Sequence, residues 1–272
     1  MKLSVLITHF KTPDLLRLCL NSINSTTANL EKEIIVLDSA ADSETEEWLI
    51  NDFPAAKYRA FKKNLGYAKM INIGLTQARG DFILILNADL IVEKGAIEKM
   101  LDFMLVNTRV GLVAPRLLNF NGTVQDSCFR WHHWLTVIYR RTWLGLTRRG
   151  KRELERFIIK ISDSAASQAV DWVLGAAMLV RQSAVTQVGL MDERFFLYFE
   201  DTDWCRRFWL ADWQVVYLTE ALMHHYHGRL SKRTSGLADI FFNRYTWIHI
   251  VSALKYFWKY RGQSLSGLGK KQ

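Results

Sequence analysis

GDFILILNADLIVEKGAIEKM, residues 80–100, shows the architecture of this chain at its plainest. Asp81 to Leu86 is an apolar run of strand length that stops at Asn87-Ala88-Asp89. Ala96 to Leu105 then follows with helical spacing. The same unit recurs upstream. Leu3 to Ile7 is a buried strand, and Thr12-Pro13-Asp14 opens a helix with Thr12 as N-cap and Pro13 at its first position. Leu15, Leu16, Leu18, Leu20 and Ile23 supply that helix's apolar face. Glu33 to Leu37 is a second strand ending at Asp38, and Ser43 with Glu46 forms a capping-box pattern before the helix of Trp48 and Leu49. Tyr58 to Phe61 is a short third strand and Gly66 to Ala78 a helix.

Strand and helix thus alternate four times, which predicts an α/β fold: a mixed, mainly parallel central sheet with helices on both faces. Thr8-His9, Asp38 and Asn87 to Asp89 all follow strands. They are expected at the carboxyl edge of the sheet, where open α/β sheets bind ligands. No Gly-x-Gly-x-x-Gly follows the first strand, which counts against a dehydrogenase. Downstream, Gly111 to Pro115, Met178 to Val180 and Val215 to Leu218 read as strands, Asn121-Gly122 as a turn, and residues 128–165 show no clean period.

Four groups of residues carry chemistry, each with a plainer reading beside it. Asn87-Ala88-Asp89 places a carboxylate where a divalent cation and a diphosphate would partner it, or where it simply caps a turn. Asp38 suits a ribose hydroxyl or a base N–H, or an ordinary turn. Glu200-Asp201-Thr202-Asp203 crowds three carboxylates, which raises a pKa toward general-base work, and the same acids favour a helix N-terminus. His224, His225 and His227 lack the His-Glu-x-x-His zinc spacing, so one of them joining the Asp89 cation is favoured over a separate zinc site.

The chain has 272 residues, 49% hydrophobic and 23% charged, the profile of a folded protein. Its formal charge is +9, with clusters at Arg140 to Arg152 and at Lys255 to Lys271. Basic surface attracts nucleotides, nucleic acid or anionic lipid. No nucleic-acid module accompanies that charge, so no nucleic-acid partner is expected. Cys19, Cys128 and Cys205 are too widely spaced to suggest a metal site or disulfide framework, which fits a reducing cytoplasm. The N-terminal apolar run is too short for a signal peptide, and no run approaches ~20 apolar residues. A soluble or peripheral protein is expected.

The stretches LSVLITHFKTPDLLRLCLNSI, EIIVLDSAADSETEEWL, NLGYAKMINIGLTQARGDFILILNADLIVEKGAI, VGLVAPRLLNFNGTVQDS, VDWVLGAAMLVRQSAVTQVGLMDERFFLYFEDTDWCRR and HHYHGRLS stand in this order over residues 3–235. Together they resemble glycosyltransferase family 2, especially its rhamnosyltransferase-like members with the GT-A fold, a Rossmann-like nucleotide-sugar transferase fold. The resemblance implies an inverting hexosyltransferase using Mg²⁺ or Mn²⁺ and a dTDP- or UDP-sugar. Its acceptor would be a saccharide or a polyprenyl-linked saccharide in cell-surface polysaccharide synthesis. By the same resemblance, Asp201 is the catalytic base. Thr8, His9, Phe10, Asp38, Asn64 and Asn87 surround the donor nucleotide, Asp89 and His225 hold the metal, and Trp172, Gly175, Ala176 and Glu200 form the acceptor side. A cytoplasmic enzyme at the inner face of the plasma membrane, able to form a homodimer, follows from the same reading.

Several positions depart from the family pattern. DSAADSET replaces the usual run after the second strand, Ala88 stands where proline is common, and His9 and Lys11 replace asparagine or tyrosine. These changes motivate a competing reading, a catalytically inactive nucleotide-sugar-binding scaffold. Residues 1–236 are read as the catalytic domain and 237–272 as an aromatic, basic helical tail, which with the 140–152 basic cluster meets anionic lipid near a lipid-linked acceptor, or else packs onto the domain or a second subunit.

Overall fold

The computed structural model describes residues 2–161, 166–226 and 244–263. In chain order the elements are β1 Leu3–His9, α1 Pro13–Thr26, β2 Lys32–Ser39, α2 Ser43–Asp52, β3 Ala56–Phe61, α3 Tyr67–Gln77, β4 Phe82–Asn87, β5 Leu90–Val92, α4 Ala96–Val106 and β6 Val110–Leu118. Then come β7 Cys128–Phe129, α5 Trp134–Arg141, a 3₁₀ turn Trp143–Leu146, α6 Arg148–Phe157, β8 Ser167–Ala169, β9 Trp172–Val173, β10 Ala177–Arg181, α7 Gln182–Val188, α8 Glu200–Leu210, β11 Gln214–His225 and α9 Arg244–Lys259.

The main sheet runs β3-β2-β1-β4-β10-β6-β11-β5, with β8 beside β11. β3, β2, β1 and β4 are mutually parallel, as are β6 and β11, whereas β10, β5 and β8 pair antiparallel. Register aligns His9 with Asp38 and Thr8 with Asn87, so the polar residues that end three strands arrive at one edge. Alternation divides the core. Val5, Ile7, Val36, Leu84 and Leu86 pack with α1 and α4 on one face. Leu6, Ile35, Leu37, Ile83 and Ile85 pack with α3 and α8 on the other.

Some local expectations change. Asp42, not Ser43, caps α2, accepting the Thr45 N–H at 2.7 Å. Thr12 occupies the α1 cap position without a side-chain bond; its own N–H donates to His9 Nε2 at 2.9 Å. β11 extends from Gln214 to His225, past the expected four residues, because a register shift between Leu218 and Leu222 lets it continue beside β6. The three cysteines are buried and free.

The boundary at 236 and His227 lie outside the described residues. α9 packs on the rest of the protein: Ala253, Tyr256 and Tyr260 cluster with Val137 of α5 and with Phe195 and Phe199. A buried acid fastens it. Asp203 accepts hydrogen bonds from Arg207 Nε at 3.0 Å, Lys259 Nζ at 2.5 Å and Tyr260 Oη at 2.8 Å. The crowding of acids at 200–203 thus has a structural member. Lys259 would keep its bond to Asp192, but Asp203→Ala would leave the Tyr260 hydroxyl without its acceptor and open this joint, lowering stability by about 3 kcal/mol. Urea melts check this, and an unchanged midpoint would contradict it.

Candidate functional site

A cavity of about 460 Å³ opens at the carboxyl edge of β1 and β4. Its wall includes Thr8, His9, Phe10, Asn64, Asn87 and Asp89, together with Tyr67, Tyr226 and Tyr245. That volume suits a small organic ligand. Tyr245 belongs to α9, so the tail contributes to the cavity.

Asp38 is not on that wall. It is fully buried, with Oδ1 2.8 Å from His9 Nδ1 and Oδ2 accepting the Tyr58 hydroxyl at 2.6 Å. Because His9 Nε2 accepts the Thr12 N–H, the ring's proton sits on Nδ1, against Asp38. His9 therefore stands between this acid and the cavity. The substitution of His9 for the usual family residue has a visible consequence here: the carboxylate is committed within the protein.

Asn64 Oδ1 accepts the Gly66 N–H at 2.9 Å, bracing the loop before α3. Thr8 donates to Asn87 Oδ1 at 3.1 Å, and Asn87 N–H donates to the Ala176 carbonyl at 2.9 Å. The carboxyl end of β4 is thereby tied to both neighbours.

Asp89 and His225 meet. His225 Nε2 lies 3.5 Å from Asp89 Oδ1, a buried oxygen with no hydrogen-bond partner. Sequence reading missed the residue that orients this histidine. Gln125 Nε2 donates to Asn119 Oδ1 and to the His225 carbonyl, each at 2.8 Å. That fixes the amide so that Oε1, 2.8 Å from His225 Nδ1, accepts the ring N–H. Nε2 faces Asp89 from the other side of the ring. A carboxylate oxygen with no hydrogen-bond partner beside an imidazole nitrogen is a donor pair of the kind divalent cations take. No third His, Cys, Asp or Glu completes a cage among the described residues. A cation here would need its remaining ligands from outside these side chains.

Asp201 sits in the first turn of α8, where the helix dipole favours an anion. Its Oδ2 accepts the Gly175 N–H at 3.1 Å and its Oδ1 the Thr202 N–H at 2.7 Å. A Cβ at Gly175 would lie 3.3 Å from the Asp201 Cβ, so only glycine gives this close approach without a neighbour yielding. Burial raises the Asp201 pKa against these hydrogen bonds and the charge of Arg140. Glu200 is pushed well above the carboxylate range by burial and by the Asp201 charge. The preceding Tyr198 and Phe199 both hold φ of +68°, a left-handed conformation costly for such residues. Their rings pack in the cluster beneath α9, which holds the turn that presents Glu200 and Asp201.

Tyr67 links the two halves. Its hydroxyl donates to the Gly175 carbonyl, and burial plus the charges of Glu200, Asp201 and Asp89 raise its pKa. It lines the cavity and binds Gly175, whose N–H donates to Asp201. Trp172 is buried, donating its indole N–H to the Arg130 carbonyl at 2.9 Å and stacking 4.5 Å from Phe129. Ala176 is also buried, its carbonyl accepting the Asn87 N–H.

The family model for glycosyl transferase family 2 matches residues 4–162. The chain belongs to glycosyl transferase family 2. It is similar to the N-acetylglucosaminyl-diphospho-decaprenol L-rhamnosyltransferase of Mycobacterium tuberculosis, at 26% identity over 71% of this chain and 66% of that protein. It is also similar to the low-salt glycan biosynthesis hexosyltransferase Agl10 of Haloferax volcanii, at 25% identity over 75% of this chain and 61% of that one. The chain therefore spans just under two thirds of these relatives' lengths. Among solved structures it superposes on GalNAc-T7 with UDP, GalNAc and Mn²⁺ (TM-score 0.63, 15% identity, 82% of this chain and 43% of that chain). It superposes too on Staphylococcus aureus TarS (TM-score 0.57, 17% identity, 83% and 36%). The architecture is that of a GT-A glycosyltransferase.

Proposed function

We propose that this family 2 enzyme moves a sugar, rhamnose as the first candidate, from a dTDP- or UDP-linked donor to a hydroxyl of a saccharide or polyprenyl-linked acceptor, with inversion. The observation that carries this reading is that Tyr67 and Asp89 line one cavity while the Tyr67 hydroxyl donates to the carbonyl of Gly175, whose N–H binds Asp201. The donor nucleotide would lie along Thr8, His9, Phe10 and Asn64, with Asp38 acting through His9. Asp89 and His225 would hold Mg²⁺ or Mn²⁺, which when bound neutralises the diphosphate leaving group. Asp201 takes the proton of the acceptor hydroxyl as that oxygen attacks the anomeric carbon from the face opposite the diphosphate. Gly175 and Thr202 N–H groups orient its carboxylate, and burial beside Asp201 raises the Glu200 pKa, which disfavours a second negative charge there. The inactive-scaffold alternative is weakened by the presence of Asp89 on the cavity wall and of Asp201 joined to that wall through Gly175 and Tyr67.

The test is release of nucleoside diphosphate from dTDP-rhamnose and a panel of nucleotide sugars with Mn²⁺. Measurable release supports the enzyme, and saturable binding without turnover on any acceptor supports the scaffold. A second measurement addresses the metal directly. Gln125→Leu frees the His225 ring to turn or change tautomer, and should weaken Mn²⁺ affinity by about 10–100-fold in titration calorimetry with nucleoside diphosphate present. Unchanged affinity would remove Gln125 and His225 from the metal's support.

A further inference from the structure

We infer that α9 and the arm formed by α5, the 3₁₀ turn and α6 make one lipid-facing surface that seats the protein on an anionic bilayer. The docking stands on the surface alone; its purpose, access to a lipid-linked acceptor, rests on the transferase reading.

α9 has two distinct faces. Thr246, His249, Ser252, Ala253 and Tyr256 are buried against the protein. Trp247, Val251, Leu254 and Trp258, spaced four, three and four apart, lie on the outer face with 51%, 42%, 66% and 68% exposure. The inner face explains why the helix stays on the protein. It gives no reason for four apolar side chains in water on the outer one.

The neighbouring arm repeats the pattern. Trp134 and Leu135 at the start of α5, then Trp143 and Leu146 in the 3₁₀ turn, are exposed. α5 touches α9 through Val137, which packs with Ala253 and Tyr256. Four exposed tryptophans on adjoining segments have the composition of a membrane–water interface.

Charge selects the occupant. Arg148, Arg149, Lys151 and Arg152 are exposed and crowd the first five positions of α6, whose first turn holds no acid. Cations are disfavoured at a helix N-terminus, so the helix itself does not account for them. None of the four forms an ion pair among the described residues. Anionic headgroups would supply the missing counter-charge. A second copy of the chain, packed through the same surface about a two-fold axis, would bring like charges together. The surface also borders the cleft: Tyr245 of α9 lines the cavity, and the charge of Arg140 in α5 reaches Asp201.

Flotation of the full chain with vesicles tests this. The protein should float with phosphatidylcholine–phosphatidylglycerol vesicles at low salt, and poorly with phosphatidylcholine alone. The triple variant Trp247→Ser, Leu254→Ser, Trp258→Ser should partition on the order of 10-fold less. So should the variant with Arg148, Arg149, Lys151 and Arg152 all changed to Gln. Failure of the full chain to float, or equal flotation of both variants, would overturn the inference. A dimer in sedimentation that the tryptophan variant dissolves would also overturn it, by assigning the surface to a second copy. Nucleotide-sugar binding, measured on the same variants, should match the wild type. Lost flotation with intact donor binding therefore leaves the transferase reading standing, and absent donor binding with normal flotation leaves the surface standing.

Discussion

Asp201→Asn is expected to bind a nucleotide sugar as the wild type does and to lose about 10²–10⁴ of its turnover, the usual worth of a positioned general base. The amide keeps the size of the side chain but has one acceptor oxygen, so it retains one of the two N–H bonds from Gly175 and Thr202, and the turn at the start of α8 should survive at some cost in stability. What it cannot do is take a proton. Glu200→Gln is the control. The Glu200 pKa is raised by burial and by its neighbour's charge, and an amide there keeps the shape of the side chain while adding no charge beside Asp201. It should keep most of the turnover. The wild-type pH profile follows from burial of the pair. Asp201 must be ionised to act, and its pKa is raised, so turnover should climb with pH through a value above the ~3.9 of free aspartate. The two acids titrate together, so the profile reports the pair. Near-normal turnover by Asp201→Asn would transfer the role of base to another group.

Asp89→Ala should have an effect of similar size through a different route. Asp89 is the carboxylate beside His225 Nε2, and its buried Oδ1 has no hydrogen-bond partner. Removing it takes away the anchor of the cation that would stabilise the diphosphate, worth several kcal/mol or about 10³-fold in rate. Unlike Asp201→Asn, it should also weaken donor binding, and raising Mn²⁺ should recover part of the loss. Donor affinity and Mn²⁺ dependence equal to wild type would place the metal elsewhere. The contrast between the two variants separates positioning of the leaving group from proton removal.

The strands that build this cleft were plain in the sequence because each is a continuous apolar run ended by polar residues. That is how a strand buried on both faces must read. Asn87 and Asp89 were therefore placed at the sheet's edge from their position alone. Harder features depended on distant partners. Gln125 meets His225 across 100 residues, and nothing in NFNGTVQDS marks it as the holder of an imidazole. Asp203 reads like Asp201, yet Lys259 and Tyr260 turn it into a structural anchor. The commitment of Asp38 to His9 and Tyr58 depended on strand register, which period alone does not supply. Residues 128–161 hid their structure because the elements there are short and α6, RRGKRELERF, is polar on most of its circumference. The antiparallel insertion of β10 between β4 and β6 is likewise set by the chain's path and not by the apolar run itself.

The account rests on a sugar nucleotide and a cation sharing the cavity walled by Thr8, His9, Asn87 and Asp89. Thermal unfolding of the full chain against a panel of dTDP- and UDP-sugars, with Mn²⁺ and with chelator, tests this most directly, because a ligand that binds the native state raises its melting temperature. At least one nucleotide sugar should raise it, more with Mn²⁺ than with chelator, and Asp89→Ala should erase the difference. No rise with any of them, or a rise indifferent to both Mn²⁺ and Asp89, would contradict the account.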